Sequence, residues 1–282
     1  MSKIALIVHA CDRYQLLFDG FYHFFKQNGG LDIPFKKYFL TENIDIHYEG
    51  FENIKTGTGE WSNRLLTALA QIPESHVLYF QEDMWLCKPI SKSFFEEIDQ
   101  FIASKNIKLL KLHSSEVYDT EGCGIYFQGL QLAQLNKEKS EYLMSHQVSV
   151  WEKKFLAAQL SPDEHPWRNE RKATKRLRRS SEILYQIDYF AENNKPSINK
   201  NASESVRSAY YAVSANSRLY ETVRPFIDIL LKQNLTRMYG EKLQNHLEND
   251  LTHDGKAVPH KEDFFKKWRI KIGELFFKKE KY

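Results

Sequence analysis

The sequence is short of several features that would each have set a function class. Its 282 residues include only three cysteines, Cys11, Cys87 and Cys123, which are neither evenly paired nor at zinc-ligand spacing. That excludes a disulfide framework and a cysteine-based zinc module, and it points to reduced thiols in a cytoplasmic setting. No apolar run approaches the ~20 residues that a membrane-spanning helix needs. The N-terminal run, Ile4 to Val8, is too short for the apolar region of a signal peptide. No Gly-x-Gly-x-x-Gly follows that run and no Walker lysine loop is present, which argues against a dinucleotide oxidoreductase and a P-loop enzyme. Excess charge of one sign is missing too: the formal net charge is +3, too small for a general polyanion binder.

What is present suits one large α/β domain, or such a domain with a helical extension. Hydrophobic residues make up 42% and aromatics 14%, enough for a sizeable core. The aromatics suit packing first, and stacking on sugars or a base second. Ile4–Val8 reads as a strand buried on both faces. Asp12 and Gln15 form a capping-box pattern before a stripe of Leu16, Leu17, Phe21, Phe24 and Phe25, ended by Asn28-Gly29-Gly30. Lys36–Leu40 reads as a second strand, 41–60 as loop, and Ser62 onward as a helix stopped by Pro73. Val77–Phe80 is the next buried strand. Ser93 and Glu96 cap a helix to about Ser104, and Leu109–His113 is strand-like.

Residues 114–129 read as loop and short strands, and Gln147–Trp151 as a strand or edge. Pro166 opens a charged helix over about 167–181, and Tyr210–Ser214 is a last short strand before a helical remainder. Strands and helices alternating in this way predict a mostly parallel central sheet with flanking helices. No internal repeat or low-complexity linker interrupts it.

The sharpest chemical signal is VLYFQEDMWL, Val77 to Leu86, where an apolar strand ends in adjacent carboxylates, Glu82 and Asp83. Ligands in open α/β sheets gather at the carboxyl ends of strands. Two acids there repel unless a cation or donor groups lie between them, and a hard divalent metal bound by carboxylate and phosphate oxygens answers that need. The alternative is a surface turn carrying two solvated acids.

This strand and acidic triplet, preceded by a helix, resembles the Asp-x-Asp region of GT-A glycosyltransferases, of the bacterial polysaccharide or lipopolysaccharide, family-2-like type. The sequence departs from that pattern at Gln81, which stands where the first Asp would be. The resemblance implies a GT-A-like α/β fold with a Rossmann-like nucleotide-binding half at about 1–115, an acceptor half at about 116–215 and a helical C-terminal extension at 216–282. It implies Mn²⁺ or Mg²⁺ at Asp83, with Glu82 facing the sugar or an N–H donor. It also implies a UDP- or GDP-sugar donor, a glycan or lipid-linked acceptor, and inversion at the transferred sugar.

Under that resemblance the loop after the first strand, His9 to Arg13, contacts base and ribose. Asp12 is suited to accept from uracil or ribose and Arg13 to hold phosphate, while helix capping is the structural alternative for Asp12. Trp61, just before the helix that leads to the acidic strand, lies by the nucleotide or in the core. His113, at a strand end, binds phosphate or sugar, or is structural. Downstream, Glu164 and Glu170 are the candidate general bases that take the acceptor proton. The alternative for both is to offset the helix dipole and neighbouring arginines. Trp151 and Trp167 are candidate stacking platforms for the acceptor.

A dense basic stretch, 168–179, and an amphipathic basic segment, 264–279, stand out as well. The second suits the anionic inner face of a membrane, or a helix docked on the core with solvated lysines. Two rival readings remain. One is a nucleotidyltransferase acting on a sugar phosphate, disfavoured because His9–Arg13 contains no glycine. The other is a non-catalytic polyanion- or membrane-binding protein.

Overall fold

The computed structural model describes residues 2–196 and 207–257. The amphipathic segment 264–279 lies outside the described residues. Among the described residues, no helix is long and apolar enough to cross a membrane.

The chain opens with β1 (Ile4–His9), a 3-10 turn at Asp12–Leu17, α1 (Phe18–Gln27), β2 (Lys36–Thr41), β3 (Glu52–Lys55), α2 (Trp61–Gln71) and β4 (His76–Gln81). Then come β5 (Met84–Leu86), α3 (Lys92–Ser104), β6 (Leu109–His113), the hairpin β7 (Thr120–Phe127) and β8 (Leu130–Leu135), and β9 (Ser149–Glu152). The remainder is α4 (Lys153–Ala158), α5 (Pro166–Arg179), β10 (Tyr185–Glu192), β11 (Ser208–Ala212), the short pair β12 (Ser214–Ala215) and β13 (Arg218–Leu219), α6 (Arg224–Lys232) and α7 (Arg237–Glu248).

All six residues of β1 are buried, because β2 and β4 flank it in parallel and helices cover both faces of the sheet. Alternate residues therefore serve two cores. Ile4, Leu6 and Val8, with Leu78 and Phe80 of β4, join the phenylalanines of α1 and α3. Ala5 and Ile7, with Val77 and Tyr79, join Leu65 and Leu69 of α2, Leu156 of α4 and Leu177 of α5. Phe226, Leu230 and Leu243 of α6 and α7 extend the first core.

The large sheet runs β3-β2-β1-β4-β9-β6-β10-β11-β5, with β8 pairing β10 and β7 pairing β8. Strands β3, β2, β1 and β4 are mutually parallel, as are β6, β10 and β11. Antiparallel β9 joins the two sets. The carboxyl ends of the parallel strands thus meet along one edge, which carries His9, Thr41, Gln81, His113 and Glu192. The observed architecture is the expected mixed α/β one with a mostly parallel sheet and helices on both faces.

Four local expectations are corrected. Residues 52–55 are a strand, hidden because only Ile54 of the four is buried on this edge. Tyr185–Glu192 is a full central strand whose buried Gln186 and Asp188 break the apolar pattern. The cap of α3 is Ser91, which accepts from Phe94 N at 3.3 Å, rather than Ser93. Asp12 caps no helix: its carboxylate accepts from the N–H groups of Glu42, Asn43 and Ile44 at 2.8–3.1 Å, tying the β1 loop to the end of β2.

One close approach fixes how α1 lies on the sheet. Gly20 faces Trp85 of β5 so tightly that a Cβ there would stand 2.1 Å from the indole ring. Trp85 also stacks on Phe24 at 5.5 Å between ring centres.

Candidate active site at the carboxyl edge of the sheet

Strand β4 delivers Gln81-Glu82-Asp83 to the edge, and the turn into β5 is held from two sides. Trp85 Nε1 donates to Glu82 O at 3.0 Å, and Val213 N donates to Asp83 O at 3.0 Å. Glu82 is buried and Asp83 half-buried. Burial pushes both carboxyls up from their usual range, and the Asp83 charge raises Glu82 further. Glu192, at the end of β10, adds a third negative group that acts on Asp83. Arg64 and the backbone N–H of Cys11 pull Glu82 the other way. A desolvated acidic pair of this kind favours a proton or a cation.

Arg64 of α2 braces the neighbouring loop. It is buried, its Nη1 donates to Ala10 O at 2.7 Å, and its Nε lies 3.7 Å from Glu42 Oε1. Sequence reasoning missed Arg64 and Glu42, whose only signal is an arginine on the apolar side of a helix. His9 lies on the α2 face of β1: its Nδ1 is 3.2 Å from Tyr79 OH and its ring 5.6 Å from Trp61. Burial first, then Arg64 and His146, hold His9 well below the usual histidine range, so it is neutral. Trp61 packs 4.2 Å from the His146 ring and belongs to the second core. His9 and Trp61 are buried beneath the edge, and His9 Nε2 has no hydrogen-bond partner among the described residues. Arg13 is exposed and stands 5.5 Å over the Tyr14 ring.

Across β9, strands β6 and β10 build a second polar cluster. Lys111, fully buried in β6, donates to Ser145 Oγ at 2.8 Å and lies 4.8 Å from the Tyr118 ring centre. Tyr118 OH is 3.0 Å from Ser145 Oγ and 2.7 Å from His113 Nε2. Burial lowers the Lys111 amine to about 7, with Glu170 opposing the shift. His113 is buried in this network. Burial, then Lys111, hold it well below its usual range.

The two candidate bases separate. Glu164 is 2% exposed; its carboxylate accepts from Asn169 Nδ2 at 2.7 Å and from Ser161 N at 3.3 Å. Arg176 and Lys172 pair with it at 3.3 and 3.5 Å. Burial acts to raise its pKa, but these partners win and the carboxyl sits below its usual value. Glu164 thus ties α5 to the start of α2, where its own N–H donates to Ser62 Oγ at 2.9 Å.

Glu170 is half-buried, and its Oε1 accepts from His146 N at 3.2 Å. Burial raises its pKa, with that N–H and Lys111 acting against the shift. Its charge reaches Glu192, whose own pKa burial raises, and Glu192 in turn acts on Asp83. Trp151 is buried in the second core. Trp167 is 58% exposed, at the start of α5 beside His165.

Among the described residues, no three His, Cys, Asp or Glu side chains converge to hold a metal. The chemistry at Glu82 and Asp83 fits a divalent ion all the same: both are hard oxygen donors, desolvated and repelling, and bound phosphate oxygens would complete the shell. A cavity of about 610 Å³ opens elsewhere, between α1 and the α6–α7 turn, and is lined by none of these residues.

No protein-family model matches the chain, and no curated protein matches it. Among solved structures the chain is similar to that of S. aureus TarS 1–349, at 14% identity and a TM-score of 0.45, over 88% of this chain and 71% of that one. It is similar to the same protein in complex with UDP-GlcNAc, at 12% identity and a TM-score of 0.41, over 88% and 72%. A UDP-glucose pyrophosphorylase complexed with UDP-glucose matches at 10% identity and a TM-score of 0.43, over 66% and 91%. These are similarities of fold, and the carboxyl-edge site stands on its own residues: Glu82, Asp83 and Glu192 on one side, Glu170 and Lys111 on the other.

Proposed function

We propose that the protein is a glycosyltransferase that moves a sugar from a nucleoside-diphosphate donor to a glycan or lipid-linked acceptor. One observation carries this reading: two adjacent, desolvated carboxyls end the central strand β4 at the sheet edge where ligands gather. The donor diphosphate binds at that edge. A Mn²⁺ or Mg²⁺ ion held by Asp83, with Glu82 beside it, would relieve their repulsion and neutralise the departing diphosphate. Exposed Arg13, on the loop after β1, is the proposed contact for donor phosphate.

Glu170 is the general base. An acceptor hydroxyl attacks the anomeric carbon, the bond from that carbon to the phosphate oxygen breaks, and the nucleoside diphosphate leaves with the electron pair. The hydroxyl proton passes to Glu170. Partial burial raises this carboxyl towards neutrality, which suits a base working near neutral pH. One direct displacement inverts the configuration at that carbon.

A thermal-shift screen of UDP-, GDP-, CMP- and TDP-sugars, with and without Mn²⁺, tests the reading. A ligand of the native state at a hundred times its Kd stabilises by ~2.7 kcal/mol. Asp83→Ala should keep the fold and abolish the shift. Release of nucleoside diphosphate marks sugar transfer, whereas release of pyrophosphate from a nucleoside triphosphate marks nucleotidyl transfer. No shift with any nucleotide sugar refutes the proposal.

A further inference from the structure

We infer that the outer face of α5 is a docking track for an acidic acceptor glycan, one whose repeats each carry a negative charge. This inference rests on the glycosyltransferase reading and goes beyond it by naming the acceptor class. Buried Asn169, Ala173, Thr174 and Leu177 define the inner face of the helix. At 100° per residue, Arg168, Arg171, Lys172, Lys175 and Arg179 fall opposite, within an arc of about 100°. All five are exposed. Only Lys172 has an acidic partner among the described residues, Glu164 at 3.5 Å. The track is about 16 Å long at 1.5 Å per residue, enough for two or three saccharide repeats.

Helix stability accounts for Arg179, a cation in the last turn, and not for the rest of this face. Arg168 lies in the first turn, where the helix dipole disfavours a cation, and that turn contains no acid. Arg168 and Lys172, Arg171 and Lys175, and Lys175 and Arg179 are like charges at i,i+4, each pair costing ~0.2–0.5 kcal/mol. The other basic residues of the helix are engaged. Arg176 pairs with Glu164, and Arg178 donates to Lys137 O and Ser140 O, each at 2.8 Å. The unengaged cations are segregated on the face turned to solvent, where an external anion would offset them.

The position of Trp167 selects a saccharide over a lipid surface or a nucleic acid. On the helical wheel Trp167 falls between Glu170 and Arg171, so it connects the basic face to the base. Its indole is exposed and offers a flat surface for a pyranose ring. A chain bound along the track and turned over Trp167 brings its terminal hydroxyl towards Glu170.

The test measures binding of a labelled polygalacturonate oligomer by fluorescence anisotropy across a salt series. The comparison probes are a neutral dextran, a single-stranded DNA oligomer and vesicles containing anionic lipid. The wild-type protein should prefer the acidic glycan to all three, with affinity falling as salt rises. The triple variant Arg171→Glu/Lys175→Glu/Arg179→Glu should lose about tenfold or more in affinity. Its donor-induced thermal shift, measured alongside, should match wild type. Its melting temperature should fall by only a few degrees, because every changed side chain is exposed and Arg179 alone complements the helix dipole. A neutral set, Arg171→Gln/Lys175→Gln/Arg179→Gln, should show a smaller loss and serves if the reversal variant fails to fold. Trp167→Ala should weaken the glycan and leave DNA and vesicle binding unchanged.

Equal affinity for dextran, tighter binding of DNA or vesicles, absence of glycan binding, or no loss in the variants overturns the inference. A missing donor shift in wild type, with glycan binding that still depends on the track, instead refutes the transferase reading alone.

Discussion

Replacing Lys111 by methionine isolates the cost of burying one amine beside the candidate base. Lys111 is fully buried in β6, and its ammonium, which has three protons to donate, has one hydrogen bond, to Ser145 Oγ at 2.8 Å. Burial brings its pKa from 10.5 to about 7. Above 10.5 the amine is neutral in both the folded and unfolded chain, and below about 7 it is charged in both. Between those values the unfolded chain binds the extra proton, so the contribution of Lys111 to stability grows as pH rises and is lost as pH falls through the folded value.

The interval corresponds to roughly 4–5 kcal/mol at ~1.4 kcal/mol per pH unit. Methionine has similar volume and no proton to exchange. Chemical denaturation of wild type and Lys111→Met in parallel, from about pH 6 to about pH 10, should show the variant more stable at the acid end. Its advantage should shrink or reverse towards the alkaline end, because groups common to both proteins cancel in the difference. A stability difference constant across that range refutes the reasoning. The same substitution removes the cation that opposes the rise in the Glu170 pKa, so the acid limb of the transfer rate should move to higher pH.

Two further substitutions test packing and ionic anchoring. Glu164→Gln should destabilise by ~1–3 kcal/mol in urea denaturation, because it weakens the charged hydrogen bonds from Asn169 and Arg176, while the unpaired cations stay partly solvated. The wild-type advantage should fade in acid, as Glu164 is protonated on passing down through its lowered pKa, and affinity for a nucleotide sugar should be unchanged. Gly20→Ala should cost ~1–3 kcal/mol or more, since its Cβ would stand 2.1 Å from Trp85. A change in near-ultraviolet circular dichroism of the folded protein should accompany that loss.

Much of the frame was legible from residue order. Contiguous apolar runs marked β1, β4 and β6, because strands covered on both faces need no polar alternation. The run into Gln81-Glu82-Asp83 marked the edge of interest, since a strand that ends in acids must bring them to the rim of its sheet. Strands β3 and β10 were not legible. One is a solvent-exposed edge with a single buried side chain; the other buries Gln186, whose Nε2 donates to Asp188 and to His113 O, and Asp188, which also pairs with Arg207. A polar pair that is apt inside a sheet looks like loop when read along the chain.

Sequence by itself determined the alternation of strands and helices, the acidic pair at the end of β4 and the basic composition of α5, because each is written in neighbouring residues. Tertiary structure alone decided which ionisable groups were desolvated and which were paired. Glu164 and Glu170 are six residues apart on one segment, yet the first meets Asn169, Arg176 and Lys172 while the second meets the His146 N–H and the charge of Lys111. The reason is physical: the protonation and role of a carboxylate depend on its desolvation and on charges brought near it from distant parts of the chain, and those distances are set by folding.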